Sequence, residues 1–344
     1  MSRRSLTLLI AAVGTAAAIA VSVLVPVPYV ILGPGPTLNT LGYDSSGKPL
    51  ITIQGQATYP TTGHLNMVTV SYQGCQGNQF NIFTALVAWL NPHQAVVPEG
   101  EICPAGQTQQ QTQEQDTAQM ASSQQTATAA ALTELHIPYV TEVVVAQIEP
   151  GFPAAGVLKA GDVITAIDGK PVTSQSSLTR LVYAHPAGST LDVTVTRSGQ
   201  TVHLQVGTKE SEGHPVMGVA IGEQYKFPFQ VQISVGDIGG PSAGMMFALG
   251  IIDKLTHDNL TGGKFIAGTG EITASGQVLA IGGIQQKMLG ARNAGATIFL
   301  TPASNCADTK GAVPAGLRLV KVSTLNQAVT DLEALETGHS VPSC

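Results

Sequence analysis

Apolar and polar positions alternate along this chain with several different periods. From Leu6 to Val25 there are twenty residues without a charge; as a helix they span about 30 Å, enough to cross a bilayer core. Pro26 and Pro28 end that run, and Val30 to Pro36 reads as a stiff link. Leu65-Asn66-Met67-Val68-Thr69-Val70 alternates as a strand, and Phe80 to Leu90 reads as a short helix stopped by Asn91-Pro92. Gln107 to Gln125 is rich in Gln and Thr. Its beginning reads as an exposed loop, and Met120 to Leu135 as an Ala-rich helix.

Beyond Ile137 the period changes. Thr141 to Ile148 is a strand, Gly161-Asp162 a corner before a second strand, and Asp168-Gly169 a hairpin turn. Ser177 to Tyr183 is a helix and Leu191 to Val195 a strand. Phe229 to Val235 is a further strand, followed by a Gly-rich loop and an apolar helix from Ser242 to Leu255. A hairpin then feeds a helix starting near Ile284. Strands at 297–302 and 317–322 and a helix over 324–335 close the chain. The class this predicts is α+β.

Composition narrows the reading. At 344 residues the chain has room for roughly two or three domains. Charged residues make up 11%, against about 25% in ordinary soluble proteins. Yet 43% is hydrophobic, so a sizeable core is available. A net charge of −6 argues against a nucleic-acid partner. Arg3 and Arg4 precede the apolar run, which predicts a cytoplasmic N-terminus and an extracytoplasmic body at the cell membrane. Ala18-Ile19-Ala20 leaves open a cleaved signal peptide. The four cysteines allow three pairings; Cys75–Cys103 with Cys306–Cys344 keeps each pair within one region, and free thiols are the alternative. No His or Cys spacing matches a metal motif, and no cofactor is expected.

Two segments carry chemistry. Ser242 opens a helix after Gly239-Gly240-Pro241, where the bland role is capping. A hydroxyl there also lies among unsatisfied backbone N–H groups that can bind an oxyanion, and the amides of Gly240 and Ser242 are the candidates. Lys287 falls in the first turn of a helix, where a cation opposes the dipole. Such a placement lowers a lysine pKa and makes it a usable base; the bland role is an exposed, solubilising lysine.

Together these segments form GPSAG followed by TGEIT, then IGG-xx-K, with the lysine 45 positions after the serine. That pattern resembles the Lon-type (S16) serine protease domain, whose fold is like the second domain of ribosomal protein S5. The resemblance implies Ser242 as nucleophile, Lys287 as base and Thr269 as support for the pair. Many members carry Asp three residues before the serine; here that position is Gly239, with Asp237 two residues away.

The stretch Phe152-Pro153-Ala154-Ala155-x-Val157 through Gly161-Asp162-Val163-Ile164 to Asp168-Gly169 resembles a PDZ domain of bacterial proteases. That implies peptide binding by β-augmentation beside Pro138, Tyr139, Val140, Thr141 and Val143. The segment His136-Ile137-Pro138-Tyr139 has no glycine, unlike the usual carboxylate-binding loop.

The whole order resembles the membrane-anchored, PDZ-containing S16 proteins of Gram-positive bacteria. The expected division is an N-terminus and membrane helix over 1–28, then 29–136 as the first part of the Lon-like domain. A PDZ domain over 137–210 is inserted before the remainder at 216–344. The resemblance implies an ATP-independent endopeptidase acting on exported or membrane-proximal polypeptides, and a homo-oligomeric ring. No GxxxxGK[ST] phosphate loop is present. Two other readings stand beside it. One is a non-catalytic PDZ adaptor. The other is an α/β-hydrolase using Gly240-Pro241-Ser242-Ala243-Gly244 with His257 or His339.

Overall fold

The structure, a computed structural model, describes residues 3–44, 46–75, 79–103 and 106–344; the first two residues of the expected cytoplasmic N-terminus lie outside them. The chain divides into two compact units. One combines residues 1–136 with 229–344, and the other is Ile137–Pro228.

The first unit begins with α1 (Arg3–Leu24), long and apolar enough to cross a membrane, with no buried residue. Then come β1 (Tyr29–Asn39), β2 (Ile51–Gln54), β3 (His64–Gln73), α2 (Ile82–Trp89), β4 (Ala95–Pro98), α3 (Glu99–Ile102) and α4 (Gln109–Glu134). Two expectations change here. The stretch Val30 to Pro36 is not a link but part of β1, paired with β3 and β4. Its prolines are tolerated because pairing with β4 stops at Leu32 and the register with β3 shifts between Pro34 and Thr37. The Gln/Thr-rich segment is helical from Gln109 onward, not a loop. Thr108 and Gln111 form a reciprocal capping box, and Gln has good helix propensity. The last turns of α4 bury Ala127 to Leu132 in the core.

The second unit contains β5 (Val140–Ile148), β6 (Val163–Ile167), β7 (Lys170–Pro171), α5 (Gln175–Tyr183), β8 (Thr190–Arg197), β9 (Gln200–Gly207), β10 (Lys209–Ser211), β11 (His214–Val216) and β12 (Val219–Lys226). Its main sheet runs β12-β5-β6-β8-β9, with β7 on β6. Asp162 at the predicted corner is 1% exposed, caps the Lys159 N–H at 2.8 Å and accepts two 2.7 Å bonds from Arg197. Those bonds hold its carboxyl below the usual range despite burial. Asp168 adopts φ 49°, as a tight hairpin turn requires. Strand β12 pairs with β5, so the compact unit runs on to Pro228.

The chain then returns to the first unit with β13 (Gln230–Ile233), α6 (Gly244–Leu255), β14 (Phe265–Gly268), β15 (Glu271–Ile272), β16 (Val278–Leu279), α7 (Ile284–Asn293), β17 (Ile298–Pro302), β18 (Arg318–Val322) and α8 (Leu325–Glu336). The sheet order is β18-β17-β14-β3-β1-β4. Its central pair, β14 with β3, joins segments from either side of the insertion, and β13 with β2 does the same. Helix α6, apolar on almost every face, is buried among residues of both segments, including Leu50, Met67, Ala130, Leu300 and Leu332. Cys75 is bonded to Cys103 and Cys306 to Cys344.

Candidate active site

Helix α6 starts at Gly244, its N-cap is Ala243, and no side chain caps it. The Ser242 hydroxyl is therefore not spent on capping. Instead Lys287 Nζ lies 2.8 Å from Ser242 Oγ, donating a hydrogen bond to it. Lys287 is the fourth residue of α7 and is 3% exposed, so it is no surface lysine. Burial alone pulls its ammonium from the ordinary 10.5 down to about 8.

Thr269, fully buried in the turn after β14, accepts a second bond from Nζ at 3.1 Å. Its own hydroxyl donates to the Ser242 carbonyl at 2.9 Å, which also receives the Gly270 N–H at 2.8 Å. Thr269 thus has its proton committed elsewhere and can only accept from the lysine. That leaves the amine held between Thr269 and Ser242.

The flanking loop is set from α4. Ser123 Oγ donates to the Pro241 carbonyl at 3.0 Å. A Cβ at Gly239 would sit 2.5 Å from the Asp116 Cβ, so an aspartate at 239 has no room. The Gly240 N–H donates to the Asp116 carbonyl at 3.1 Å. That corrects the expectation for Gly240, whose amide is already engaged. The Ser242 amide has no partner among the described residues.

Ser242 and Lys287 line a cavity of about 450 Å³ with Tyr72, Asp116, Met120 and Asp237. Burial lifts the Asp116 carboxyl above its ordinary value. Beyond Met67, strand β3 has β1 on one side and, among the described residues, no strand on the other, because β14 pairs with it only from His64 to Met67. Val68, Thr69, Val70 and Tyr72 carry that open edge into the cavity wall. Neither His257, which packs on Tyr59, nor His339, bonded to Thr337, lines it. Among the described residues no group of three or more His, Cys, Asp or Glu side chains comes together to hold a metal.

Residues 230–334 match the family of the Lon protease (S16) C-terminal proteolytic domain. The chain carries a Lon-type proteolytic domain. Residues 110–208 match the PDZ domain family, and the chain carries that domain too. Similar proteins include the Lon protease of Heliobacterium modesticaldum, 35% identical over 140 residues (37% of this chain, 17% of that protein). Lon protease 1 of Bacillus subtilis is 31% identical over 137 residues (38% of this chain, 17% of that protein). The chain thus spans under a fifth of the length of the curated relatives it matches. Among solved structures, the PDZ domain of the SdrC-like protein from Listeria innocua is 26% identical; the match covers 23% of this chain and 92% of that one, with a TM-score of 0.23.

In the PDZ unit the predicted peptide edge is closed. Strand β5 is paired with β12 from Val140 through Ile148 and with β6 at Val143 and Val144. Tyr139 packs against the Tyr225 and Phe227 rings just before it. Pro138, Tyr139, Val140, Thr141 and Val143 therefore do not form a free strand edge. The outer strand on this side of the sheet is β12 itself, with β9 at the far end. A groove of about 330 Å³ lies between it and α5, lined by Leu178, Val182, Val216, Gly218, Val219 and Ile221. Gly218 has φ 83°, and a side chain there would run into Phe152. The apolar-Gly-apolar run Val216-Met217-Gly218-Val219 was the available signal for this groove.

Proposed function

We propose that this protein is a membrane-anchored serine endopeptidase in which Ser242 and Lys287 form a catalytic dyad and the PDZ groove recruits substrate segments. The observation that carries this reading is the 2.8 Å contact of a buried lysine, with no carboxylate partner among the described residues, to an uncapped serine hydroxyl. With a pKa of about 8, roughly one lysine in ten is neutral at pH 7, enough for a general base.

In this mechanism Oγ attacks the substrate carbonyl while its proton passes to Nζ. The carbonyl oxygen becomes an oxyanion near the Ser242 N–H. The C–N bond then breaks, and Nζ returns the proton to the leaving amine. Water, deprotonated by the same amine, hydrolyses the acyl-enzyme and restores Ser242. An extended substrate fits the unpaired β3 edge at Val68–Tyr72 as an added strand, which places its backbone along the cavity that holds Ser242. Disordered or extended segments suit that edge, since folded substrates have no free backbone to pair. In the PDZ unit, an extended peptide adds to β12 with its side chains against α5.

The test is peptide hydrolysis by the full chain. Ser242→Ala and Lys287→Ala each lower kcat/KM by about 10³-fold or more, while His257→Ala and His339→Ala retain activity. Full activity in Lys287→Ala overturns the dyad. Loss in His339→Ala alone restores the hydrolase reading. No hydrolysis by the wild type of any unstructured peptide tried, with peptides still captured by the PDZ unit, supports the adaptor.

A further inference from the structure

Helix α2 is built inside out. At 100° per residue, Ile82, Phe83, Leu86, Val87, Trp89 and Leu90 fall within an arc of about 160°. All six are exposed, Trp89 at 70% and Leu90 at 69%. The opposite side carries Ala88, which is 1% exposed and faces the protein. A helix that borders water turns its apolar arc inward; this one presents large side chains outward and a methyl group inward. Its backbone is well formed all the same, capped by Asn81, which accepts the Thr84 N–H at 2.9 Å. The outward face is thus a feature of a folded helix, not of a frayed one.

Its place in the unit says what covers that face. Helix α1 packs against α2. Pro26 bridges Asn81, and the Val27 N–H donates to the Phe80 carbonyl at 3.0 Å. The apolar arc therefore begins at the level where α1 ends. Charge is missing from the same region: no Asp, Glu, Lys or Arg occurs between Arg4 and Asp44, nor between Lys48 and Glu99. Protein-binding surfaces carry a polar rim around an apolar centre. Here an uncharged, all-apolar arc ending in tryptophan continues directly from a membrane-spanning helix. Tryptophan concentrates at membrane–water interfaces. A protein docked on α2 would have to share the space with the lipid surrounding the end of α1.

We propose that α2 is a second, interfacial anchor, lying in the bilayer surface beside the exit of α1 with Phe83, Leu86, Trp89 and Leu90 among the acyl chains. This rests on the reading of α1 as a membrane span. The anchor is short, about 12 Å, so it adds orientation more than affinity. A single helix lets the body it carries rotate and tilt freely. Two attachment points on one rigid unit fix which of its faces meets the membrane.

The chain reports on this itself, because Trp89 is its single tryptophan. The full chain is reconstituted in vesicles of phosphatidylethanolamine and phosphatidylglycerol, with and without brominated acyl chains. The expected result is a blue-shifted emission that loses most of its intensity to bromolipid and little to aqueous acrylamide. The variant Phe83→Ser/Leu86→Ser stays with the vesicles through α1 but exchanges bromolipid quenching for acrylamide quenching. Leu90→Lys, past the end of the helix, gives the same exchange should the double variant not fold. Trp89 quenched by acrylamide and not by bromolipid in the wild type overturns the proposal. Shielding from both quenchers also overturns it, and points to a second copy of the chain on this face. If alkaline carbonate strips the whole chain from the vesicles, the reading of α1 fails first, and the proposal falls with it.

Discussion

The two units handle charge in opposite ways. Asp162–Arg197 and Glu142–Lys226 form ion pairs in the PDZ unit, where Asp168 also meets His185 at 3.0 Å. The Lon-type unit rests on an apolar core and on hydroxyl and carbonyl hydrogen bonds. A buried lysine means different things in these two settings. In the PDZ unit a buried charge such as Asp162 has its partner and is structural. In the Lon-type unit Lys287 is buried with hydroxyl partners only, so its charged form is penalised and its neutral form is favoured. In the proposed mechanism that missing counter-ion is what suits it to act as a base.

The largest effect concerns continuity. Residues 137–228 expressed alone should unfold cooperatively by denaturant and calorimetry. Residues 229–344 alone should not fold, because β14 and β13 lose their partners β3 and β2 and α6 loses α4. A folded 229–344 fragment that cleaves peptides would break the contrast between a self-contained unit and a divided one.

Replacing Thr269 by Val removes the acceptor that orients the lysine. It should lower kcat by about 10–100-fold with KM little changed, and Thr269→Ser should recover most of the loss. Steady-state kinetics on one fluorogenic peptide decides it. Lys287→Met should make the inactive protein more stable at pH 7 by about 2–3 kcal/mol, because it removes the buried ammonium. The sign follows from the folded pKa, about 8, lying below the unfolded 10.5. The wild type carries the full penalty below about 8 and sheds it as pH rises toward 10.5, so the advantage of methionine should vanish across that window. Denaturant melts at pH 7 and pH 10 give the comparison.

The pH profile of hydrolysis should show the same group: kcat/KM falls about tenfold per unit below about pH 8 and levels off above it. Smallest, Ile221→Ser in the PDZ groove should weaken peptide capture about tenfold. Short peptides should still be cut at an unchanged rate, since Ile221 lines the other unit's groove.

What could be read from the sequence followed a physical rule. Lys287 stood out because a cation in a first helical turn opposes the dipole, and Ser242, in itself an ordinary capping residue, because of its spacing to that lysine and the glycines before it. The Asp168-Gly169 hairpin and the Gly161-Asp162 corner were visible because their causes are local. Non-local partners were not. Nothing near Val140 announces that β12, some eighty residues later, will cover it, so the peptide edge was placed one strand too far in. Gly240 looked free until Asp116, from a distant helix, was seen to accept its N–H. The start of α4 was misjudged because its polar surface hides the capping box that begins it.

Strand β1 starts five residues after α1 ends, and Leu32 on it already lines the cavity with Ser242. Eight residues reach at most about 28 Å even when fully extended. On the proposed reading, with α1 embedded and Ser242 as nucleophile, that short leash would work as a ruler: it would cap the height above the lipid at which a peptide bond is cut. The same proposal would keep stalks and loops that leave that membrane within reach, at the high local concentration of a two-dimensional surface, while a soluble chain would have to find the site by diffusion.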